Sequence, residues 1–194
     1  MSHHVQKKML GYAGEYLVAA RLSLMGYLVT ITPKGAPEID LLVYDIERRK
    51  VATIQVKTIR QNYVHLGVKA KREEIDRKLK DKIKDPYVIV HIPSDWNSAK
   101  FYIIPSKDLR ELARKEYFEW LNKPTHTKAR EELEKTPQPL LVSIRSLGSF
   151  LEKWENIWTY ELKRKTVCCT FDYSRRSCCG IRASNLNLTE LMEK

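Results

Sequence analysis

The spacing of apolar residues predicts a long helix at the start of the chain. Over residues 5–25, apolar side chains recur three or four positions apart, as on one face of a helix: Val5, Met9, Ala13, Tyr16, Leu17, Ala20 and Leu24. Further helices are predicted over 69–85, 106–121 and 147–162, with Ser106 as an N-cap.

Short runs rich in β-branched and aromatic residues predict the strands. The runs cover residues 27–32, 40–43, 51–57, 62–68, 87–92, 100–104 and 140–144. The stretch 122–139 is polar, contains three prolines and is expected to be a long loop or to hold a short helix. The order helix, three or four strands, helix, two strands, helix indicates an α/β domain with one central mixed sheet.

Three polar residues in two neighbouring predicted strands form the candidate site. Asp40 opens one strand, and Gln55 and Lys57 close the next strand after a polar turn at 45–50. Residues two apart in a strand leave the same face, so the amide and the ammonium point together. Burying these groups beside a carboxylate is unfavourable unless they pair or bind a metal. The cluster is therefore a functional candidate.

Basic residues outnumber acidic ones, 35 to 24, which gives a formal net charge of +11. A surplus of this size favours polyanions, and we expect nucleic acid rather than a membrane surface because no basic amphipathic helix with a bulky apolar face is evident. A lysine-rich surface that serves only solubility is the other interpretation. No apolar run reaches the roughly 18 residues of a membrane span, and the N-terminus has no signal-peptide core, so we expect an intracellular protein.

Hydrophobic periodicity fades after the last predicted helix. We therefore expect an α/β domain over residues 1–162 and a tail over 163–194, whose disorder is left open. The tail holds the four cysteines of the chain: Cys168, Cys169, Cys178 and Cys179. Adjacent cysteines fit poorly the Cys-x2–4-Cys spacing of structural zinc sites. A disulfide between the pairs is the other alternative, and incidental cysteines are the expectation.

The candidate residues resemble a known nuclease motif. Gly14-Glu15 in the first helix, Asp40 opening a strand and Gln55-Val56-Lys57 closing the next resemble the PD-(D/E)xK nuclease superfamily. The resemblance covers roughly residues 9–105 and is greatest to small members related to Holliday-junction resolvases and Mrr-type restriction enzymes. It implies a restriction-endonuclease-like α/β fold, with a central mixed β-sheet flanked by helices.

The resemblance also implies metal-dependent hydrolysis of DNA with Mg²⁺ or Mn²⁺. Asp40 would be the principal ligand, the carbonyl of Val56 a second and the amide oxygen of Gln55 a third, and Glu15 would reach the metal directly or through water. Lys57 would orient the attacking water and offset charge on the phosphate. DNA is the expected partner, and we expect a homodimer because paired sites can cut duplex or branched DNA symmetrically.

The sequence departs from the family pattern at Gln55, where Glu or Asp is more common. One fewer anionic ligand weakens Mg²⁺ binding, which leaves open a weakly active enzyme or one that prefers Mn²⁺. Glu38, which follows Pro37, is an alternative to Asp40. Asp40 is preferred because the apolar strand begins directly after it.

Lys34, Arg60 and Lys69 are the candidate nucleic-acid contacts. Arg60 and Glu15 could equally be ordinary surface charges, and acidic residues interspersed along the basic helix at 69–84 favour a solvated face there. Two other functions stay open. The chain could bind nucleic acid on a catalytically inactive nuclease fold, or it could be a structural subunit of a larger complex.

Overall fold

The chain divides into two units, residues 1–160 and residues 161–194. A computed structural model describes, in the first unit, residues 3–33, 39–93, 95–124 and 130–159. In the second unit it describes two short strands, Phe171–Asp172 and Ser177–Cys178, which pair antiparallel. The predicted roles of the cysteine side chains lie outside the described residues.

The first unit alternates helices and strands. The helices are α1 (His3–Leu24), α2 (Ile75–Lys82), α3 (Ser106–Leu121) and α4 (Arg130–Lys135). The strands are β1 (Leu28–Ile31), β2 (Leu41–Asp45), β3 (Lys50–Ile59), β4 (Tyr63–Ala70), β5 (Tyr87–His91), β6 (Lys100–Ile104) and β7 (Gln138–Ser143).

The central sheet is mixed, as predicted, with strand order β1-β2-β3-β5-β6. Strands β1, β2 and β3 form an antiparallel meander, and β6 is antiparallel to β5. Strands β3 and β5 are parallel, with Gln55 opposite Tyr87 and Lys57 opposite Ile89. A parallel pair needs a long crossover connection, which β4 and α2 supply.

Apolar side chains cover both faces of the sheet, so the continuous apolar run of β5 is buried on two sides. Val88 and Val90 pack with Val18 and Leu22 of α1. Tyr87 and Ile89 face the other way, toward a cluster that includes residues of α2, α3, β4 and β7. Helices therefore flank the sheet on both faces, with α1 on one and α2 and α3 on the other.

The predicted fourth strand does not join the central sheet. Strand β4 pairs antiparallel with β7 in a separate two-stranded sheet. Alternate side chains of β4 are buried, namely Val64, Leu66, Val68 and Ala70, and those between them are exposed. A strand with one apolar face suits a sheet that lies on the core with its other face in water.

The predicted helix over 147–162 is wrong. The described part of this stretch forms 3₁₀ turns at Ile144–Phe150 and Trp154–Trp158. Between them Leu151 is extended and Glu152 adopts a positive φ of 55°. The Glu152 N–H donates to the Phe101 carbonyl at 2.8 Å, so pairing with β6 replaces the helical bonds.

Two predicted helix starts also need correction. Ser106 is not an N-cap: it is the first residue of α3, and Pro105 precedes it without a side-chain cap. The helix predicted over 69–85 is shorter, because β4 extends to Ala70 and a 3₁₀ turn at Arg72–Glu74 precedes α2. Pairing with β7 holds the first part of that segment extended.

Gly14 lets α1 lie close to the end of β3. A Cβ added at Gly14 would overlap Thr58 Oγ1 and lie 2.9 Å from Thr58 Cβ. The same addition at Gly11, one turn earlier in α1, meets nothing within 4 Å. The close approach is therefore specific to the point where the helix crosses Thr58.

We expect Gly14→Ala to lower the free energy of unfolding by about 1–3 kcal/mol, the usual effect of overpacking. The control Gly11→Ala should raise it by about 0.5–1 kcal/mol, because Ala favours the helix and has room there. Urea denaturation measures both. Thr58→Ala should partly rescue Gly14→Ala, and equal effects of the two glycine substitutions would contradict the close contact.

Candidate functional site

The site lies where β2 begins and β3 continues past it. Leu41 is opposite Ile54, so Asp40 and Gln55 follow at the next positions of the two strands. Beyond Ile54, β3 remains paired with β5 on its other side as far as residue 59. The predicted hairpin thus brings Asp40 to the same end as Gln55 and Lys57.

Hydrogen bonds on both sides hold the backbone of Asp40. Its N–H donates to the Ile54 carbonyl at 3.0 Å, and its carbonyl accepts from the Thr32 N–H at 3.0 Å. The Thr32 hydroxyl donates to the same carbonyl at 3.2 Å. The carboxylate is therefore carried by a fixed backbone, as a preorganised site requires.

The Asp40 carboxylate binds the backbone of β3 directly. The Val56 N–H donates to Asp40 Oδ2 at 2.7 Å. On the other side of the strand, the Gln55 N–H donates to the Pro86 carbonyl at 3.0 Å. The backbone groups of one residue in a strand point to the same side, and successive residues alternate, so the Val56 carbonyl also points toward the β2 edge and Asp40.

Gln55 and Lys57 leave the sheet on the face opposite α1. Val56, between them, is 7% exposed and belongs to the core cluster under α1. Gln55 is also buried, with 7% exposure, and is one of three buried polar side chains among the described residues. Its amide is held within the fold, one position from the Asp40–Val56 bond.

The pKa of Lys57 is set by three effects that oppose one another. Burial lowers its pKa from 10.5, the Asp40 carboxylate raises it, and the Lys82 ammonium lowers it again. The net direction is downward, so burial and the second cation outweigh the single carboxylate. Burial is the largest of these effects, so the charged form of Lys57 is disfavoured mainly because the side chain is shielded from water.

Lys82 is a site residue that the sequence interpretation missed. It stands in the last turn of α2, which was assigned to a solvated, charge-paired face. The crossover between β3 and β5 places α2 over the face that carries Lys57. Only this tertiary connection brings the two lysines together, and neither spacing nor composition signals it.

Glu15 lies on the other side of the sheet from Lys57. It is half-buried and directly follows Gly14, which contacts Thr58. The helix backbone thus approaches β3 one residue beyond Lys57. To bind the same metal as Asp40, the Glu15 carboxylate would have to reach around the edge of β3 that β2 leaves unpaired. The role of Glu15 as a metal ligand stays a prediction.

The two candidate nucleic-acid contacts that lie within the described residues, Arg60 and Lys69, are not brought together. Arg60 is exposed and directly follows β3, three residues from Lys57. Lys69 is exposed on β4, in the separate two-stranded sheet. Lys34 lies outside the described residues, as does the alternative carboxylate Glu38.

Among the described residues, part of the sheet face that carries Lys57 is exposed to solvent. Strands β1, β2 and β3 each carry an exposed apolar residue on the same face as Lys57. These residues are Leu28, Leu42 and Val51. Helix α2 covers the other side of the same face. In the described part of the chain, the site therefore lies at the boundary between the covered and the exposed parts of this sheet face.

A separate groove of about 1010 Å³ lies between α2, α3 and α4. Ion pairs span it, with Arg114 Nε 2.8 Å from Asp76 Oδ1 and Arg72 paired with Glu134. None of the site residues Asp40, Gln55 and Lys57 lines it. The groove is charged and mixed in sign, and gives no second candidate for the chemistry.

The oxygen donors suit a hard cation, but they are few. Asp40 offers a carboxylate, Val56 a carbonyl and Gln55 an amide oxygen, the ligand types that Mg²⁺ and Mn²⁺ accept. Within the described residues, no three His, Cys, Asp or Glu side chains are grouped so that they could hold a metal. These three donors are therefore of the chemical type that Mg²⁺ and Mn²⁺ bind, but only the Asp40 carboxylate among them carries a negative charge.

Comparisons with protein-family profiles, with characterised proteins and with solved structures found no match to this chain. The described helices include none with the length and apolar character needed to cross a bilayer. The fold class that stands is therefore α/β, with a mixed central sheet between helices. The nuclease resemblance depends on the motif residues and their positions alone.

We expect Lys57→Met to stabilise the fold at neutral pH, because it removes an ammonium whose surroundings disfavour its charge. Lys50→Met, at the exposed start of the same strand, should leave the free energy of unfolding unchanged. Urea midpoints at pH 7 compare the two variants.

The lowered pKa of Lys57 also determines how the stability of the wild type changes with pH. The pKa of Lys57 is below 10.5 in the folded chain, so between that lowered pKa and 10.5 the unfolded chain binds more protons. Wild-type stability should therefore rise relative to Lys57→Met as the pH increases through this window. A lower urea midpoint for Lys57→Met at pH 7 would instead mean that the pair with Asp40 is net stabilising.

Proposed function

We propose that the chain is a metal-dependent endodeoxyribonuclease of the restriction-endonuclease-like fold. The observation that carries the proposal is the Asp40 carboxylate bonded to the Val56 N–H, between Gln55 and Lys57. A carboxylate, a backbone carbonyl and a lysine meet at the end of one strand, in the order that the motif requires. The mixed sheet with helices on both faces agrees with the expected architecture.

Asp40, the Val56 carbonyl and Gln55 would hold Mg²⁺ or Mn²⁺, with Glu15 as a further ligand. The metal would polarise the phosphodiester and neutralise its developing charge. Lys57 would donate hydrogen bonds to the phosphate oxygens, and a bound phosphate would favour its charged form, which burial disfavours. Lys82 adds to the field that attracts the phosphate.

DNA is the proposed substrate because the chain has a formal net charge of +11 and the site faces an open sheet surface. Arg60, exposed at the end of β3, is positioned to contact a neighbouring phosphate. Lys34 and Lys69 are weaker candidates. The form of DNA, whether junction, flap or linear duplex, is decided by the substrate panel below.

The second candidate function is nucleic-acid binding without cleavage. The observation that favours it is Gln55, a buried neutral amide beside the single carboxylate of Asp40. A site with one anionic ligand binds Mg²⁺ weakly, whereas positive charge at Lys57 and Lys82 still attracts phosphates. Such binding would fall steeply with salt concentration.

Labelled four-way junction, flap, linear duplex and single-stranded DNA, each with Mg²⁺ or Mn²⁺, test the proposal. We expect Asp40→Asn, which keeps an acceptor for the Val56 N–H, and Lys57→Met each to lower the cleavage rate on the order of 10²–10³-fold. Lys50→Met is the matched control and should cleave as wild type does.

The outcomes separate the candidates. Cleavage that persists in Asp40→Asn but is lost in Glu38→Ala would move the principal carboxylate to Glu38. Cleavage that is equal in every protein would place the activity elsewhere. An inactive wild type that binds DNA with strong salt dependence would establish the binding protein instead.

Gln55→Glu tests the metal directly. The new carboxylate would be buried near Asp40, so we expect a lower melting temperature without metal and a larger increase on adding Mg²⁺ than in wild type. The Mg²⁺ concentration for half-maximal cleavage should fall. Thermal melting with and without Mg²⁺ measures the coupling, and an unchanged response to Mg²⁺ would remove Gln55 from the ligand set.

A further inference from the structure

The outer face of α1 is apolar along the length of the helix. Six exposed residues follow one another at spacings of four, four, three, four and four: Val5, Met9, Ala13, Tyr16, Ala20 and Leu24. We call them the α1 stripe. Tyr16 is 65% exposed and Leu24 is 85% exposed. Six of the seven residues of the sequence pattern that predicted α1 are therefore on the solvent side of the helix, and only Leu17 packs against the core.

The α1 stripe lies opposite the buried face of the same helix. At about 100° per residue, its six members fall within an arc of about 100°. Gly14, Val18 and Leu22, which face the sheet, lie roughly on the other side of the helix axis. Lys8, Glu15 and Arg21 lie about 60–80° beyond the edges of the stripe, and Lys7 lies toward the other side of the helix. The uncharged polar residues Gln6 and Ser23 lie at the two edges of the stripe.

A continuous apolar stripe is unusual on a surface this rich in charge. Charged residues are 30% of the chain, yet none of the Lys, Arg, Asp or Glu residues of α1 lies within the arc that the α1 stripe occupies. Single exposed apolar residues need no explanation, but a contiguous rimmed patch marks an interaction site. The stripe is therefore expected to be covered by an apolar partner.

We propose that the partner is a second copy of this chain, packed with α1 antiparallel to α1 across a two-fold axis. The order of large and small residues along the stripe favours this antiparallel pairing. The axis would pass between Ala13 and Tyr16, so each Tyr16 would face the partner's Ala13. Met9 would face the partner's Ala20, and Val5 the partner's Leu24. Large residues then meet small ones in the middle, as close packing requires.

The interface would be modest in size. A helix of 22 residues is about 33 Å long, and a single helix pair buries less than the roughly 800 Å² per partner of a standard interface. We therefore expect a reversible dimer whose population depends on concentration. The inference does not depend on nuclease activity, since the stripe faces away from the sheet.

The arrangement would set the two candidate sites apart. Lys57 leaves the sheet on the face opposite α1, so a pair joined through α1 would carry its sites on its two outer faces. Such a dimer would engage two DNA segments, or one bent or branched DNA, more readily than the two strands of one straight duplex.

Light scattering of the full chain during gel filtration, over a wide concentration range, tests the proposal. We expect wild type to approach twice its 22.8 kDa mass as concentration rises. Tyr16→Glu should weaken dimerisation at least about tenfold, because the carboxylate would be buried without a partner. Tyr63→Glu is the matched control, since Tyr63 is 52% exposed on β4, away from α1. Circular dichroism confirms that both variants fold.

A residue exchange tests the antiparallel register. Ala20→Met should weaken the dimer by placing two large side chains opposite each other, and adding Met9→Ala should restore it. A monomeric wild type, or a dimer unchanged by Tyr16→Glu, would overturn the proposal and assign the stripe to another occupant. Failure of the exchange to rescue would overturn the antiparallel packing.

Discussion

The candidate site depends on one hydrogen bond, from the Val56 N–H to the Asp40 carboxylate. Strand β2 begins at Leu41, and β3 runs on beyond it, so the edge of β3 would otherwise expose an unpaired backbone donor. A side-chain carboxylate takes the place of a main-chain acceptor and is fixed against the strand. The same arrangement turns the Val56 carbonyl toward the carboxylate, so one structural need creates two oxygen donors side by side.

The charges around this bond are not balanced for stability. Lys57 is largely buried, and its pKa is lowered by that burial and by the Lys82 ammonium on α2, while Asp40 raises it. A fold selected only for stability would place an apolar or neutral residue at position 57. A bound anion would stabilise the charged form of Lys57 in this buried position.

Much of the fold follows from local pattern, and the errors have physical causes. The β2–β3 hairpin and the β5 strand were predictable because a polar turn and a continuous apolar run are local signals. Strand β4 could not be assigned to its own sheet because its partner, β7, lies about 70 residues away. The α1 pattern predicted the helix but not its orientation, since Leu10, Val18 and Leu22 form a second apolar stripe. Lys82 reaches the site only through the crossover.

The most direct test of the account is to locate a bound divalent metal in solution. Mn²⁺ broadens the amide resonances of nearby residues, so titrating it into ¹⁵N-labelled protein maps its position. The account predicts selective loss of the Asp40, Val56 and Lys57 signals at low Mn²⁺, with no such loss in Asp40→Asn. Broadening centred elsewhere, or the same broadening in Asp40→Asn, would contradict a metal site at the Asp40–Val56 bond.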